Sequence, residues 1–186
     1  MSSWRRWVVS GAGVAGAGYL GLVTGALTVD LGLGRRARPL GPQVVEIAAP
    51  RDVVFDVIAQ PYLGRPTQAM ARKIQMLERG TDLVLAAHRT QVRGRLVATT
   101  VETVKFDRPE RVAFRLVRGP VPHVIERFQL TEHQGGTQLA YDGEIAADLW
   151  RLGQWWAGIV ASRWEAAVAG SLAAVKEEAE RRARGR

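Results

Sequence analysis

Between residues 73 and 146 the chain alternates short β-prone runs with turn-forming residues, and a helical pattern far longer than any of them follows. The runs cover 73–78, 82–90, 95–106, 111–118, 124–132 and 137–146. Their separators are rich in the residues that reverse a chain, such as Arg79-Gly80-Thr81, Gly94, Asp107-Arg108-Pro109-Glu110, Gly119-Pro120-Val121-Pro122 and Gln134-Gly135-Gly136. Connections this short join antiparallel neighbours, because a parallel crossover needs a dozen residues or more. The closing stretch, 149–182, lines up Leu152, Trp156, Ile159, Val160, Trp164, Ala167, Val168, Leu172 and Val175 on one helical face. An antiparallel sheet with one apolar face needs a cover, and this helix is the one available. A curved sheet closing around a single helix leaves a cavity between them.

Ahead of the meander, 43–49 is a β-branched run that ends at Pro50. Residues 51–59 follow with Val53, Val54, Val57 and Ile58 at helical spacing, and Pro50 suits the entrance of that helix. Pro61, Gly64 and Pro66 break the chain before a second short helix around 67–72. The pattern predicts an α+β domain of strand, helix pair, antiparallel sheet and long C-terminal helix.

That order, together with Ile47-Ala48-Ala49-Pro50 leading into Val54-Phe55-Asp56-Val57-Ile58, the Gly135-Gly136-Thr137 hairpin and Trp164-Glu165 inside the last helix, resembles the helix-grip family called SRPBCC, also termed START-like or Bet v 1-like, of the polyketide cyclase and lipid-transport type. The resemblance covers roughly residues 43–182. It implies a curved sheet wrapped on the terminal helix and an apolar ligand (lipid, quinone or polyketide-like) held beneath that helix. The family has no shared catalytic motif, so the resemblance assigns no catalytic residue and no cofactor.

The N-terminal part reads differently. No charge interrupts 7–29, a length that as a helix at 1.5 Å per residue would cross a hydrocarbon core of roughly 30 Å. Trp4 and Trp7 stand beside Arg5 and Arg6 as interfacial residues do. The segment therefore predicts a single-pass membrane anchor over 1–34, a linker over 35–42, the folded domain over 43–183 and a tail over 184–186. A cleaved signal peptide is the competing reading, with Thr24 and Ala26 at its processing site. Arginines flank both ends of the run, so the side of the membrane is undetermined. Gly13, Ala17, Gly21 and Gly25 recur every four residues, a small-residue stripe that predicts homodimer contact through the anchor.

Composition removes several chemistries. With no cysteine there is no disulfide, thiolate metal site or cysteine nucleophile. His88, His123 and His133 show no ligand spacing, Ser162 and Ser171 lack a nucleophile elbow, and no phosphate-loop or dinucleotide fingerprint is present, so neither metal nor cofactor is expected. The formal charge of +8 is concentrated near the two ends, which argues against a nucleic-acid surface. Arg79, Arg89, Arg93 and Arg95 form a loose basic set at one end of the sheet.

Strand alternation selects the side chains that face the cavity. Val124, Phe128 and Leu130 share a face, and Glu126 falls on it; Leu139, Tyr141, Gly143 and Ile145 form the matching face of the next strand. A turn centred on Gln134-Gly135 sets Phe128 opposite Tyr141 and Glu126 opposite Gly143. A carboxylate on an apolar face must pair, accept hydrogen bonds or titrate upward. Glu126 is thus either a polar anchor or acid-base group in the cavity, or the partner of an arginine such as Arg118 or Arg89. The candidate ligand-binding set is Phe114, Glu126, Phe128, Tyr141, Trp156, Val160 and Trp164. Trp150 and Trp155 lie off the apolar face of the helix.

Three functions compete. The first is a membrane-tethered binder, carrier or sensor of a hydrophobic small molecule. The second is a cyclase or dehydratase-like enzyme using Glu126, Tyr141 or a histidine. The third is a ligand-free membrane interaction module.

Overall fold

In the computed structural model, residues 16–64 and 68–185 are described. They form β1 (Arg36–Ile47), α1 (Arg51–Leu63), α2 (Gln68–Lys73), β2 (Ile74–Arg79), β3 (Leu83–Arg93), β4 (Leu96–Asp107), β5 (Arg111–Arg118), β6 (His123–His133), β7 (Gly136–Ala147) and α3 (Trp150–Arg184). The seven strands make one antiparallel sheet in the order β1-β7-β6-β5-β4-β3-β2. Short hairpins carry the chain from β2 to β7, and β1 joins β7 as the far edge. The helix-grip expectation of sheet, helix pair and long terminal helix matches this architecture.

Turn chemistry sets the register where the site lies. Gln134 and Gly135 both have positive φ, 48° and 80°, the backbone that matches the twist of a two-residue hairpin. The resulting pairing puts Phe128 opposite Tyr141 and Glu126 opposite Gly143. Strand β1 begins at Arg36, inside the stretch read as a linker over 35–42. Pro39 and Pro42 suggested irregular chain there, but an edge strand tolerates proline, and the register shift between Leu40 and Gln43 absorbs the Gly41-Pro42 step. Leu40 is fully buried and belongs to the core.

The expected membrane span is overturned. Its residues 7–15, the stripe's Gly13 and the flanking Trp4 and Trp7 lie outside the described residues. Residues 16–24 are helical, and Gly25 then turns the chain with φ +71°. No helix among the described residues is long and apolar enough to cross a membrane. Residues expected to continue the span bind the domain instead. The Thr28 hydroxyl donates to Gly119 O (2.6 Å) and accepts from Gly119 N (3.2 Å). Asp148 accepts hydrogen bonds from Leu31 N, Gly32 N and Arg35. The described end of the uncharged run thus packs against the domain. A Cβ on Gly25 would sit 2.2 Å from Thr99 O, and one on Gly34 would sit 2.4 Å from the Trp150 ring. The single-pass localisation is corrected accordingly; the dimer through the small-residue stripe of the expected anchor over 1–34 finds no support, since Gly21 and Gly25 pack against Leu27 and Thr99 of the same chain.

Helix α3 forms as its periodicity predicts, and Val168 and Leu172 of the expected face are buried, but its first turns rest on smaller residues. Its buried positions are Gly153, Ala157, Ala161, Val168, Leu172 and Ala179, whereas Leu152 and Ile159 are exposed. Small residues let the helix approach β1 and β7, and at its entrance a Cβ on Gly153 would lie 1.7 Å from Asp148 O in the turn that leads out of β7. Trp156, Val160 and Trp164 consequently overhang the rest of the sheet instead of wedging against it.

Candidate functional site

A cavity of about 1080 Å3 lies where α3 overhangs the β3–β6 half of the sheet, with α1 as the third wall. That volume is at the upper end of the range for small-molecule pockets. Phe114, Glu126, Phe128, Trp156, Val160 and Trp164 all line it. Tyr141, the remaining candidate, is fully buried behind the wall and reaches the cavity only through Glu126. Tyr19 and Val23 of the 16–24 helix also line it, and the Tyr19 ring meets Trp156 edge-on at 6.3 Å. Trp156 is itself fixed by donating from Nε1 to Pro120 O at 2.8 Å.

Glu126 is 5% exposed. Opposite it, Gly143 leaves room for the side chain; a Cβ there would come within 3.4 Å of Glu126 Cγ. Tyr141 Oη and Trp164 Nε1 both donate to its Oε1, at 2.8 and 2.7 Å. Among the described residues no donor reaches Oε2. The arginine reading is not what the structure holds: the Glu126 carboxylate is fixed by a tyrosine and a tryptophan, and Arg89 donates to Gln75. Burial pushes the Glu126 carboxyl up to about 7, and the charge of Glu102 adds to the shift. The two hydrogen bonds and the nearby His88 oppose it without cancelling it.

A second polar centre, unforeseen from the sequence, stands across the same cavity. Glu102, 4% exposed, accepts from Thr100 Oγ1 at 2.6 Å on one oxygen and meets His88 Nδ1 at 2.9 Å on the other. His88 Nε2 lies 3.2 Å from Tyr62 Oη, which α1 lowers onto β3. The Tyr62–His88–Glu102–Thr100 chain therefore runs from a helix across two strands. Burial disfavours the charged form of His88, but the hydrogen bond and charge of Glu102 outweigh it and raise the pKa overall. The sequence did carry a signal for the strand members. Glu102 has the parity of Val104 and Phe106, and His88 that of Val84 and Ala86, all buried on the inner face. Only Tyr62 depended on a helix placement that no local pattern shows.

Aromatic rings join the two centres. Tyr62 and Phe114 stand 6.0 Å apart between ring centres, Phe114 and Phe128 5.5 Å, and Phe128 and Tyr141 5.2 Å. Phe114 pairs directly with Glu126 across β5 and β6. The arrangement can hold a flat apolar body along the ring wall while presenting hydrogen-bonding groups at two places. Among the described residues no cluster of three or more histidine, aspartate and glutamate side chains is placed to hold a metal ion.

The aromatase/cyclase Zhui from Streptomyces sp. R1128 superposes with a TM-score of 0.61 at 22% identity, over 80% of this chain and 95% of that one. The di-domain aromatase/cyclase BexL of the BE-7585A biosynthetic pathway gives 0.59 at 16% identity over 82% of this chain, which spans only 51% of that larger protein. Norcoclaurine synthase from Thalictrum flavum, in complex with dopamine and hydroxybenzaldehyde, gives 0.57 at 13% identity over 76% of this chain and 85% of that one. At these identities the likeness establishes the fold alone. No curated protein matches the chain. Residues 42–180, most of the chain, match the model of the family described as polyketide cyclase / dehydrase and lipid transport, and the chain belongs to that family.

Proposed function

We propose that this protein binds an apolar small molecule between α3 and the sheet, as a carrier or sensor, with residues 36–184 as the ligand-holding unit. The observation that carries this reading is the cavity of about 1080 Å3, walled by Phe114, Phe128, Trp156 and Val160. A fold that meant only to be stable would fill such a space, because unfilled volume forfeits packing energy. Glu126 and Trp164 supply the polar anchor on an otherwise apolar wall, and the remaining candidates supply contact area. Native mass spectrometry of the protein purified without denaturation, paired with organic extraction, tests this. The expected result is an apolar molecule released in stoichiometric amount; bare protein that also takes up no added apolar compound would count against the reading.

A second reading, a cyclase or dehydratase-like enzyme, is favoured by one observation: Glu126 titrates near neutrality inside the cavity, where an acid-base group would work. The aromatase/cyclase superposition is consistent with it.

A further inference from the structure

We infer that the cavity is a two-point site for an apolar ligand bearing two hydrogen-bond-accepting oxygens, one received at Glu126 Oε2 and the other at Tyr62 Oη. The inference rests on the binding function proposed above and narrows its ligand to flat dicarbonyl compounds. At the first point, Glu126 Oε1 already accepts from Tyr141 and Trp164, so a proton on the carboxyl resides on Oε2. Among the described residues Oε2 has no partner, and Glu126 lines the cavity, so that O–H is available to a ligand. At the second point, His88 Nδ1 is committed to Glu102 and Nε2 to Tyr62. When His88 is charged, both ring nitrogens donate, Nε2–H to Tyr62 Oη, and the Tyr62 hydroxyl hydrogen is freed for the cavity. When His88 is neutral with its proton on Nδ1, Tyr62 donates to Nε2 and offers the ligand no hydrogen. The Phe114 ring separates the points, next to Tyr62 on one side and paired with Glu126 on the other.

Both points lose their donor in the same direction. Glu126 ionises as pH rises through about 7, and His88, whose pKa is also raised, discharges as pH rises through its own value. The titratable groups facing Glu126 are Tyr141 on β7, His88 on β3, Glu102 on β4 and Tyr62 on α1; from α3 it meets Trp164, with Arg163 on the same cavity wall. Those facing His88 are Glu102, Tyr62 and Glu126.

The test compares three flat probes of one frame on the full chain: anthracene, anthrone and anthraquinone, with no, one and two carbonyls. Binding is read by calorimetry at pH 6 and pH 8.5. Each hydrogen bond made to a ligand carbonyl is expected to contribute about fivefold in affinity, so anthraquinone should exceed anthracene by about 25-fold at pH 6 and lose most of that margin at pH 8.5. Tyr62→Phe should reduce the margin about fivefold at pH 6 while leaving anthracene unchanged. Glu126→Gln, whose amide donates at any pH, should keep its share of the margin at pH 8.5. Equal affinity for anthracene and anthraquinone at pH 6 would overturn the two-point site and leave the cavity function standing. Binding of none of the three would overturn both.

Discussion

Two carboxylates, Glu102 and Glu126, share one apolar interior with a single imidazole, His88. Taking the Glu126 charge out of water is costly, and hydrogen bonds from two neutral donors do not offset that cost. Its folded-state pKa of about 7 stands above the ordinary 4.5, so the folded protein holds this proton more tightly than the unfolded chain does. Stability is then greatest below the ordinary value, declines as pH rises toward 7, and levels off above it. Glu126→Gln removes the buried charge and keeps an acceptor for Tyr141 and Trp164. Thermal unfolding should show the variant stabilised by about 1–3 kcal/mol at pH 8.5 and close to neutral at pH 4. A variant destabilised equally at both pH values would show that the carboxylate is held by its bonds rather than strained by its charge. Glu126 was legible in the sequence because it interrupts an apolar strand face at even spacing. Glu102 and His88 obey the same rule on β3 and β4. Their signal is weaker, because a histidine on a strand is as common outside as inside and Glu102 sits among threonines. Tyr62 follows no such rule, since nothing local says that α1 crosses β3.

Two elements separate what a pattern shows from what packing decides. The uncharged N-terminal run has the length and hydropathy of a membrane span, yet its described part ends a short helix at Gly25 and then lies along the domain. The groups that hold it are far away in sequence: Thr28 meets Gly119 across 91 residues and Leu31 meets Asp148 across 117. A hydropathy window cannot register partners at that separation. Asp148 is the main tie, its carboxyl held down at about 2 by Arg35 and by the Leu31 and Gly32 amides. That contribution is present above the ordinary carboxylate value of 3.8 and is lost as pH falls through about 2. Asp148→Asn at neutral pH should therefore loosen the arm: hydrogen exchange over residues 25–35 is expected to quicken by tenfold or more, roughly the worth of a charged hydrogen bond, while sheet amides keep their protection. Unchanged exchange would mean that Gly25 and Gly34 packing alone secures the arm. Helix α3 was legible as an element and in part in its facing: Val168 and Leu172 are buried as expected, Leu152 and Ile159 are not. Hydrophobicity points to the largest residues, whereas a close helix–sheet seam is made by the smallest, here Gly153, Ala157 and Ala161. Because the seam is narrow, Trp156, Val160 and Trp164 are left over the cavity.

At the scale of the molecule, strand order follows from short hairpins and the cover follows from the need to bury one sheet face, so the architecture is readable in the sequence. The void is not. A strand pattern says which side chains face inward but not whether they meet: here α3 closes on β1 and β7, touches β6 through the Trp164–Glu126 hydrogen bond, and leaves a cavity over β3 to β6. The ring wall from Tyr62 to Tyr141 and the two polar centres take their meaning from that cavity, and the arm adds Tyr19 and Val23 to its lining. The most direct test is a crystal of the protein soaked in iodobenzene, whose iodine marks its own position by anomalous scattering. The account predicts an anomalous peak between α3 and the sheet, in contact with Phe114, Phe128 and Val160. Helix α3 collapsed onto β3–β6 with their side chains filling the space, and iodine found only outside it, would contradict the account.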